Sequence, residues 1–311
     1  MPAYRLTPSL HTTPWGGDRL RTYGKDPAVP TLGESWELSF VPGAESRLDD
    51  GRKISDAFGK EAYGTRAADM PFFPVLTKFI DAARDLSVQV HPSDAYALAH
   101  EGQYGKCEMW YILDAAKDAG IYLGLSEKTD AETLRHAALD GTAQHLLRFF
   151  PVKAGESYLI PPGTIHAIGA GVVLFEIQEN STLTYRLYDY GRPGTDGKPR
   201  ELHLEKALAV ATLDRYTKAE NSSSDPTLIG LTPYFETHVY KLNFTKRELF
   251  VDKTSFLSLT VTEGEGRIDG QISKKGDTFF LPANSGRVTA EGKMTLVAVS
   301  LPEREKTEAP S

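Results

Sequence analysis

Apolar positions along the chain fall mostly into short runs cut by Gly, Pro, Asn and Asp, the pattern of many short β-strands. ESWELSF (34–40), VLTKFIDA (75–82), LSVQVHP (86–92), EMWYIL (108–113) and GIYLGL (120–125) read as strands. SYLI, VVLFEIQ and TLTYRLYDY continue the series between 157 and 190, and short strands return over 235–302. Helical periodicity is confined to three places. PSDAYALAHEG (92–102) has Ser93 or Asp94 as N-cap and Gly102 as stop. Residues 129–150 read as two short helices broken at Asp140-Gly141, with Leu134, Ala137 and Ala138, then Ala143, Leu146 and Leu147, at helical spacing. This insertion is a candidate lid or side wall. ELHLEKALAVATL (201–213) is the third. So strand-rich a chain suggests a sandwich or barrel and not a βαβ protein.

The Ser-rich, Asp-Pro stretch 219–227 breaks the pattern and marks a domain boundary. On either side of it lies a short internal match. GESYLIPPGTIH (155–166) aligns without gaps to GDTFFLPANSGR (276–287), which has Arg287 where the first copy has His166. The match suggests two similar β-barrels, only one of which keeps the histidine.

At 311 residues with 40% hydrophobic content, the chain has enough material for about two domains. A net charge of −7 argues against a general nucleic-acid binder. Cys107 is the single cysteine, so no disulfide framework exists and a reducing compartment is expected. The first residues form no apolar leader and no run is long enough to span a membrane, which points to a cytoplasmic protein.

The candidate chemistry is a metal site. Gln89 and His91 stand at i and i+2, on one face of a strand. Glu108 opens the next strand, and His166 follows the Pro161-Pro162-Gly163 turn. Two imidazoles, a carboxylate and an amide oxygen suit one divalent ion, zinc first, with Mn, Fe(II) and Co(II) also acceptable. The spacing Gly155-x5-Pro161-x-Gly163-x2-His166 resembles the second histidine motif of the cupin superfamily, and QVH with a later Glu resembles the first in variant form. His11, His100, His136, His145, His203 and His238 lack such a context and read as surface or packing residues. Alternation points Cys107 away from the site.

PWGGDRL (14–20), GESWELS (33–39), KFIDA (78–82), LSVQVHP, GKCEMWYIL (105–113), PPGTIHAIGAG (161–171) and EIQENSTLTYRLYDYGR (176–192) occur in order. Together they resemble the type I mannose-6-phosphate isomerases of the shorter bacterial kind, closely from 14 to about 210. The resemblance implies a mainly β protein of two cupin-like β-barrel (jelly-roll) domains. Residues 1–218 would form the catalytic cupin, with a helical insertion around 129–150, and 228–311 a cupin-like domain without metal. It implies a zinc-dependent aldose–ketose isomerase with one zinc per chain, held by Gln89, His91, Glu108 and His166. It marks Arg186 as the active-site arginine and Lys78 and Lys106 as lysines facing the site. Relatives often have Asp where this chain has Thr182, and Cys107 replaces the usual Thr or Pro.

Such an enzyme interconverts mannose 6-phosphate and fructose 6-phosphate by moving a proton between C2 and C1 through a cis-enediol. The metal and Arg186 suit the developing negative charge. Lys78 and Lys106 suit the phosphate or the proton transfer. The expected partner is therefore a small sugar phosphate, with no nucleic acid and no membrane. The chief rival is a non-catalytic, metal-containing sugar-phosphate-binding cupin, favoured only by Thr182. An oxygenase would use a three-ligand facial triad, which Gln89 exceeds, and a structural zinc would favour cysteines.

Overall fold

Two strands with no polar alternation, Val75–Ala82 and Val172–Glu179, lie at the centre of the protein and are buried along their whole length. They pair antiparallel from Val172 opposite Ala82 to Glu179 opposite Val75. Continuous burial follows from their position between two cores. Phe79, Phe175 and Ile177 pack on one side with Phe256, Phe280, Val297 and Val299 of the C-terminal half. Ile80, Leu174 and Ile112 pack on the other with Ile121, Leu123 and Ile168.

The structure is a computed structural model and describes residues 3–26, 28, 31–194, 196–218 and 223–303. Part of the expected boundary segment, 219–222, lies outside the described residues. Three sheets carry the architecture. A six-stranded sheet contains the two central strands together with Ser9–Gly17, Leu32–Leu38, Glu108–Ala115 and Ser157–Ile160. A five-stranded sheet faces it, in the order Tyr185–Tyr188, Val88–Val90, His166–Ile168, Gly120–Leu125, Leu147–Pro151. The third sheet has eight strands and gathers the C-terminal half, to which Tyr4–Thr7 adds by pairing Tyr4 with Phe280 and Leu6 with Thr278. Among the described residues no helix is long and apolar enough to cross a membrane.

The helical insertion differs from expectation in extent and place. Its α-helix is Ala131–Leu139 and its second piece a single 3₁₀ turn, Ala143–Leu146. Residues 147–150 are strand, pairing Phe149 with Tyr122 and Phe150 with Ile121. Leu134, Ala137, Ala138 and Ala143 pack with Val88, Val90, Tyr185 and Leu187. The insertion thus backs the outer face of the five-stranded sheet. It is a wall, since the inward residue of Val88–Val90 is Gln89.

The C-terminal strands are longer than the sequence suggests. Glu236–Val251, Leu257–Ile268 and Gly286–Ser300 run continuously, with register shifts at Asn243/Thr245 and Val261/Glu263. Phe244 and Gly264 take left-handed backbone at those shifts. Residues that resemble strand ends are therefore bulges that bend unbroken strands.

The internal match is structural as well. Gly155 and Gly276 both have φ 93°, and Gly163 and Asn284 are both left-handed. Glu156 accepts from the Lys153 N–H at 2.9 Å, and Asp277 from the Lys274 N–H at 2.9 Å. The Gly155 N–H donates to Ile112 and the Gly276 N–H to Val261, each at 2.8 Å. One turn-and-strand unit thus occurs twice, 121 residues apart by alignment of these pairs.

Candidate metal centre

Antiparallel pairing places the inward side chains of three strands in one row. Gln89 lies opposite His166 on one side and opposite Arg186 on the other. Glu108 approaches from the facing sheet at the start of its strand. The two histidine rings are 4.9 Å apart, and the Trp110 ring stands edge-on to His166 at 5.4 Å. His91, Glu108 and His166 are all buried, and one ligand atom from each lies within 4.8 Å of the others.

The donor atoms are prepared for a cation. His166 Nδ1 donates to the Thr164 carbonyl at 2.8 Å, which leaves the Nε2 lone pair directed at the centre. That Nε2 is 3.4 Å from Glu108 Oε2, and His91 Nε2 is 3.3 Å from Glu108 Oε1. Glu108 Oε2 is buried without a hydrogen bond, a costly state that a metal ion would relieve. Gln89 Nε2 lies 3.3 Å from His166 Nε2 and 3.5 Å from His91 Nε2. Rotating the amide about its last bond puts Oε1 there and completes a four-donor set. Burial lowers the pKa of both histidines, favouring the neutral form that ligates. Burial raises the pKa of Glu108, but Lys106 and His166 outweigh it and hold the carboxyl ionised. These residues fit a divalent ion.

Gly163 fixes the approach of His166. Its φ is 84°, and a Cβ there would stand 2.9 Å from Thr212 Oγ1 and 3.0 Å from the Val210 carbonyl. Both conditions select glycine at the end of the Pro-Pro turn.

Three cations surround the centre. Lys106 Nζ contacts Glu108 Oε1 and lies 3.2 Å from His91 Nε2. Lys78 Nζ sits between Glu176 Oε2 at 3.3 Å and Glu34 Oε2 at 3.4 Å, over the Trp36 ring. Burial opposes its charge, but Glu34, Glu176 and Glu108 outweigh burial and raise its pKa. Arg186 differs from both lysines. Its Nε is buried and makes no hydrogen bond, and burial followed by the neighbouring Arg200 lowers its pKa.

Glu34, Trp36 and Glu176 were not singled out from sequence. The signal was present in Glu176, a charge inside the apolar run VVLFEIQ, and in the i, i+2 pair Glu34 and Trp36. What was missing was register, for Lys78 lies directly across from Glu176 on one side and from Trp36 on the other. Thr182 is exposed and donates to Gln103 Oε1 at 3.2 Å. Cys107 is buried and stands outside the donor set.

The second copy of the repeat lacks this chemistry. Ile160 pairs with Glu108 and its counterpart Leu281 with Leu257; His166 pairs with Gln89 and its counterpart Arg287 with Phe250. Leu257, Phe250 and Arg287 thus stand where the first copy has Glu108, Gln89 and His166. An aliphatic chain, a phenyl ring and a guanidinium are not metal ligands.

Residues 227–301 match the family described as mannose-6-phosphate isomerase, cupin domain. The chain is 35% identical over 309 residues to a mannose-6-phosphate isomerase of Streptococcus mutans, covering 94% of this chain and 96% of the relative. It is 38% identical over 293 residues to the mannose-6-phosphate isomerase ManA of Bacillus subtilis, covering 89% and 92%. The crystal structure of the mannose 6-phosphate isomerase from Bacillus subtilis superposes with a TM-score of 0.86 at 32% identity, over 96% of this chain and 99% of that one.

Proposed function

The chain belongs to the mannose-6-phosphate isomerase family, and from that premise we propose that it interconverts mannose 6-phosphate and fructose 6-phosphate with one zinc ion, in the cytoplasm. Gln89, His91, Glu108 and His166 would hold the ion. When bound, zinc supplies Lewis-acid stabilisation of negative charge on the sugar oxygens.

The observation that carries the reading is the buried, unpartnered Nε of Arg186 beside the four-donor set. A guanidinium that remains charged, with a free donor facing a site, suits oxygens that gain negative charge during reaction. Arg186 therefore binds the vicinal oxygens at C1 and C2 and stabilises the cis-enediol. Lys106 is near enough to Glu108 and His91 to reach the same oxygens and to hold or move the proton exchanged between C2 and C1. Lys78, clamped by Glu34 and Glu176, stays protonated and presents a fixed positive charge to the substrate. Trp36 and Trp110 exclude water beside the lysine and His166. Residues 1–218 form the catalytic cupin domain. Residues 228–311 form a cupin-like domain that holds no metal, a reading supported by Leu257, Phe250 and Arg287 at the ligand places.

The test is a coupled assay of fructose 6-phosphate isomerisation before and after chelation, with zinc restored. Turnover lost to chelator and regained with zinc is expected. A folded, fully metallated protein without turnover would favour the sugar-phosphate-binding cupin, with Thr182→Asp as the first substitution to try.

A further inference from the structure

Arg186 lies on Tyr185–Tyr188, the edge strand of the five-stranded sheet, and the register of that strand shifts between Arg186 and Tyr188. A short edge strand with a bulge at the functional residue needs support from outside its ladder. The support is gathered on one buried carboxylate, Asp189, which follows the strand directly. Arg192 donates to Asp189 Oδ1 from Nε at 3.0 Å and from Nη2 at 2.8 Å. Arg200 donates from Nε to Oδ2 at 2.7 Å and from Nη2 to Oδ1 at 2.6 Å.

Each arginine ties Asp189 to a different side of the strand. Arg192 Nη1 donates to the Asp85 carbonyl at 2.5 Å, and Asp85 Oδ1 accepts from the Ala170 N–H at 2.6 Å. Asp85 precedes the strand of Gln89, and Ala170 follows the strand of His166. On the free side, residues 200–203 run back along 186–189. The His203 N–H donates to the Arg186 carbonyl at 2.8 Å, and the Arg186 N–H donates to His203 Nδ1 at 3.3 Å. We infer that Asp189 is a positioning residue for Arg186, holding its edge strand through Arg192 and Arg200 in line with the strands of Gln89 and His166.

The turn that returns the chain to Asp189 agrees with this role. Tyr190 and Gly191 are both left-handed, with φ 58° and 62°, and the Arg192 N–H donates to the Asp189 carbonyl at 3.2 Å. Tyrosine is disfavoured in that conformation, so the turn persists only where its surroundings hold it. Charge-assisted, forked bonds from two guanidiniums to one buried carboxylate supply that hold. Asp189 also lies between like charges: burial, then Arg200, disfavour the Arg186 guanidinium, and Asp189 acts in the opposite sense. Without its charge, Arg192 and Arg200 lose their common partner and the edge strand is left to its own short ladder.

This inference rests on the isomerase reading for its kinetic consequence, but its structural consequence is measured separately. The experiment is a double-mutant cycle in zinc-loaded protein: wild type, Asp189→Asn, Arg186→Ala and the double variant. Asp189→Asn should lower kcat for fructose 6-phosphate about 10-fold or more, with zinc content unchanged. In the Arg186→Ala background the same substitution should cost less than about 2-fold, because no guanidinium is left to position. Amide exchange protection at Arg186 and His203 should also fall about 10-fold in Asp189→Asn, relative to Gly124 and Gly163, which bond to Ile165 and His91. Equal losses in both backgrounds, or wild-type protection at Arg186 and His203, would overturn the assignment. If Asp189→Asn does not fold, Arg200→Gln takes its place in the cycle under the same criteria. Absent turnover in a folded, loaded wild type would overturn the isomerase reading, while the exchange data would still decide whether Asp189 holds the strand.

Discussion

His166 stands directly opposite Gln89 in the antiparallel ladder, and their side chains meet with His166 Nε2 3.3 Å from the amide nitrogen. The two donors come from strands far apart in sequence, and their spacing is set by the ladder itself. His166→Ala should therefore remove a donor without moving the others. We expect zinc affinity to fall by more than about 100-fold, beyond the usual cost of an outer partner, and turnover to fall with it. Metal content after dialysis, read beside activity, checks this. Full metal content with full activity would refute the donor set.

Arg186 shares the row but is not a donor. Arg186→Ala should retain zinc while kcat falls about 10²–10³-fold, the range for losing one charge-stabilising donor. Arg186→Lys restores charge without the fork and should recover only part of the loss. Equal metal loss in both variants would show that Arg186 supports the site's structure instead.

Lys78 neutralises Glu34 and Glu176 from a buried position. Lys78→Met leaves both carboxylates facing each other and should destabilise the protein by about 3 kcal/mol. Urea unfolding measures the loss. The double variant Lys78→Met/Glu176→Gln should recover part of it, because the repulsion is gone.

A second buried pair joins the N-terminal region to the C-terminal sheet. Lys25 Nζ donates to Glu37 Oε2 at 2.9 Å and to the Gly276 carbonyl at 2.8 Å, and the Thr278 hydroxyl donates to the same carboxylate at 3.1 Å. Lys25→Ala should lower stability by about 3 kcal/mol and leave KM for fructose 6-phosphate unchanged. A KM change with no loss of stability would contradict a purely structural role.

Glu179 also gives stability a pH dependence with a defined sign. Its pKa is raised in the fold from 4.5 to about 9, so the folded state binds the proton that the unfolded chain releases. Its contribution is fully present below pH 4.5 and is lost progressively as pH rises towards 9. Within that window one proton is worth about 1.4 kcal/mol per pH unit. The stability advantage of Glu179→Gln over wild type should therefore grow between pH 6 and pH 8.5, as read from urea midpoints. A gap independent of pH would show that Glu179 is ionised in the fold.

Much of the site was legible because its residues are tied to local patterns. Gln89 and His91 share a strand face by simple alternation, and the Pro-Pro-Gly turn announces His166. Alternation also set Cys107 apart from Glu108. The insertion at 129–150 was legible as helix only in part, since residues 147–150 pair with Gly120–Leu125. Local apolar spacing does not distinguish a second helical turn from an edge strand when the deciding partner is elsewhere.

The sequence by itself determined the strand-rich class, the four candidate ligands and the repeated turn in which Arg287 takes the place of His166. Each of these is written in short-range spacing, which the backbone's own periodicity converts into direction. Only the tertiary structure decided that Lys78 is held by Glu34 and Glu176, that Arg186 has a buried donor without a partner, and that Asp94 and Glu179 accept from the backbone on either side of Lys106. Those relationships join distant strands through register and burial. Long-range contacts of that kind have no signature in any one segment, because the energy of a buried charge depends on which groups the whole fold brings to it.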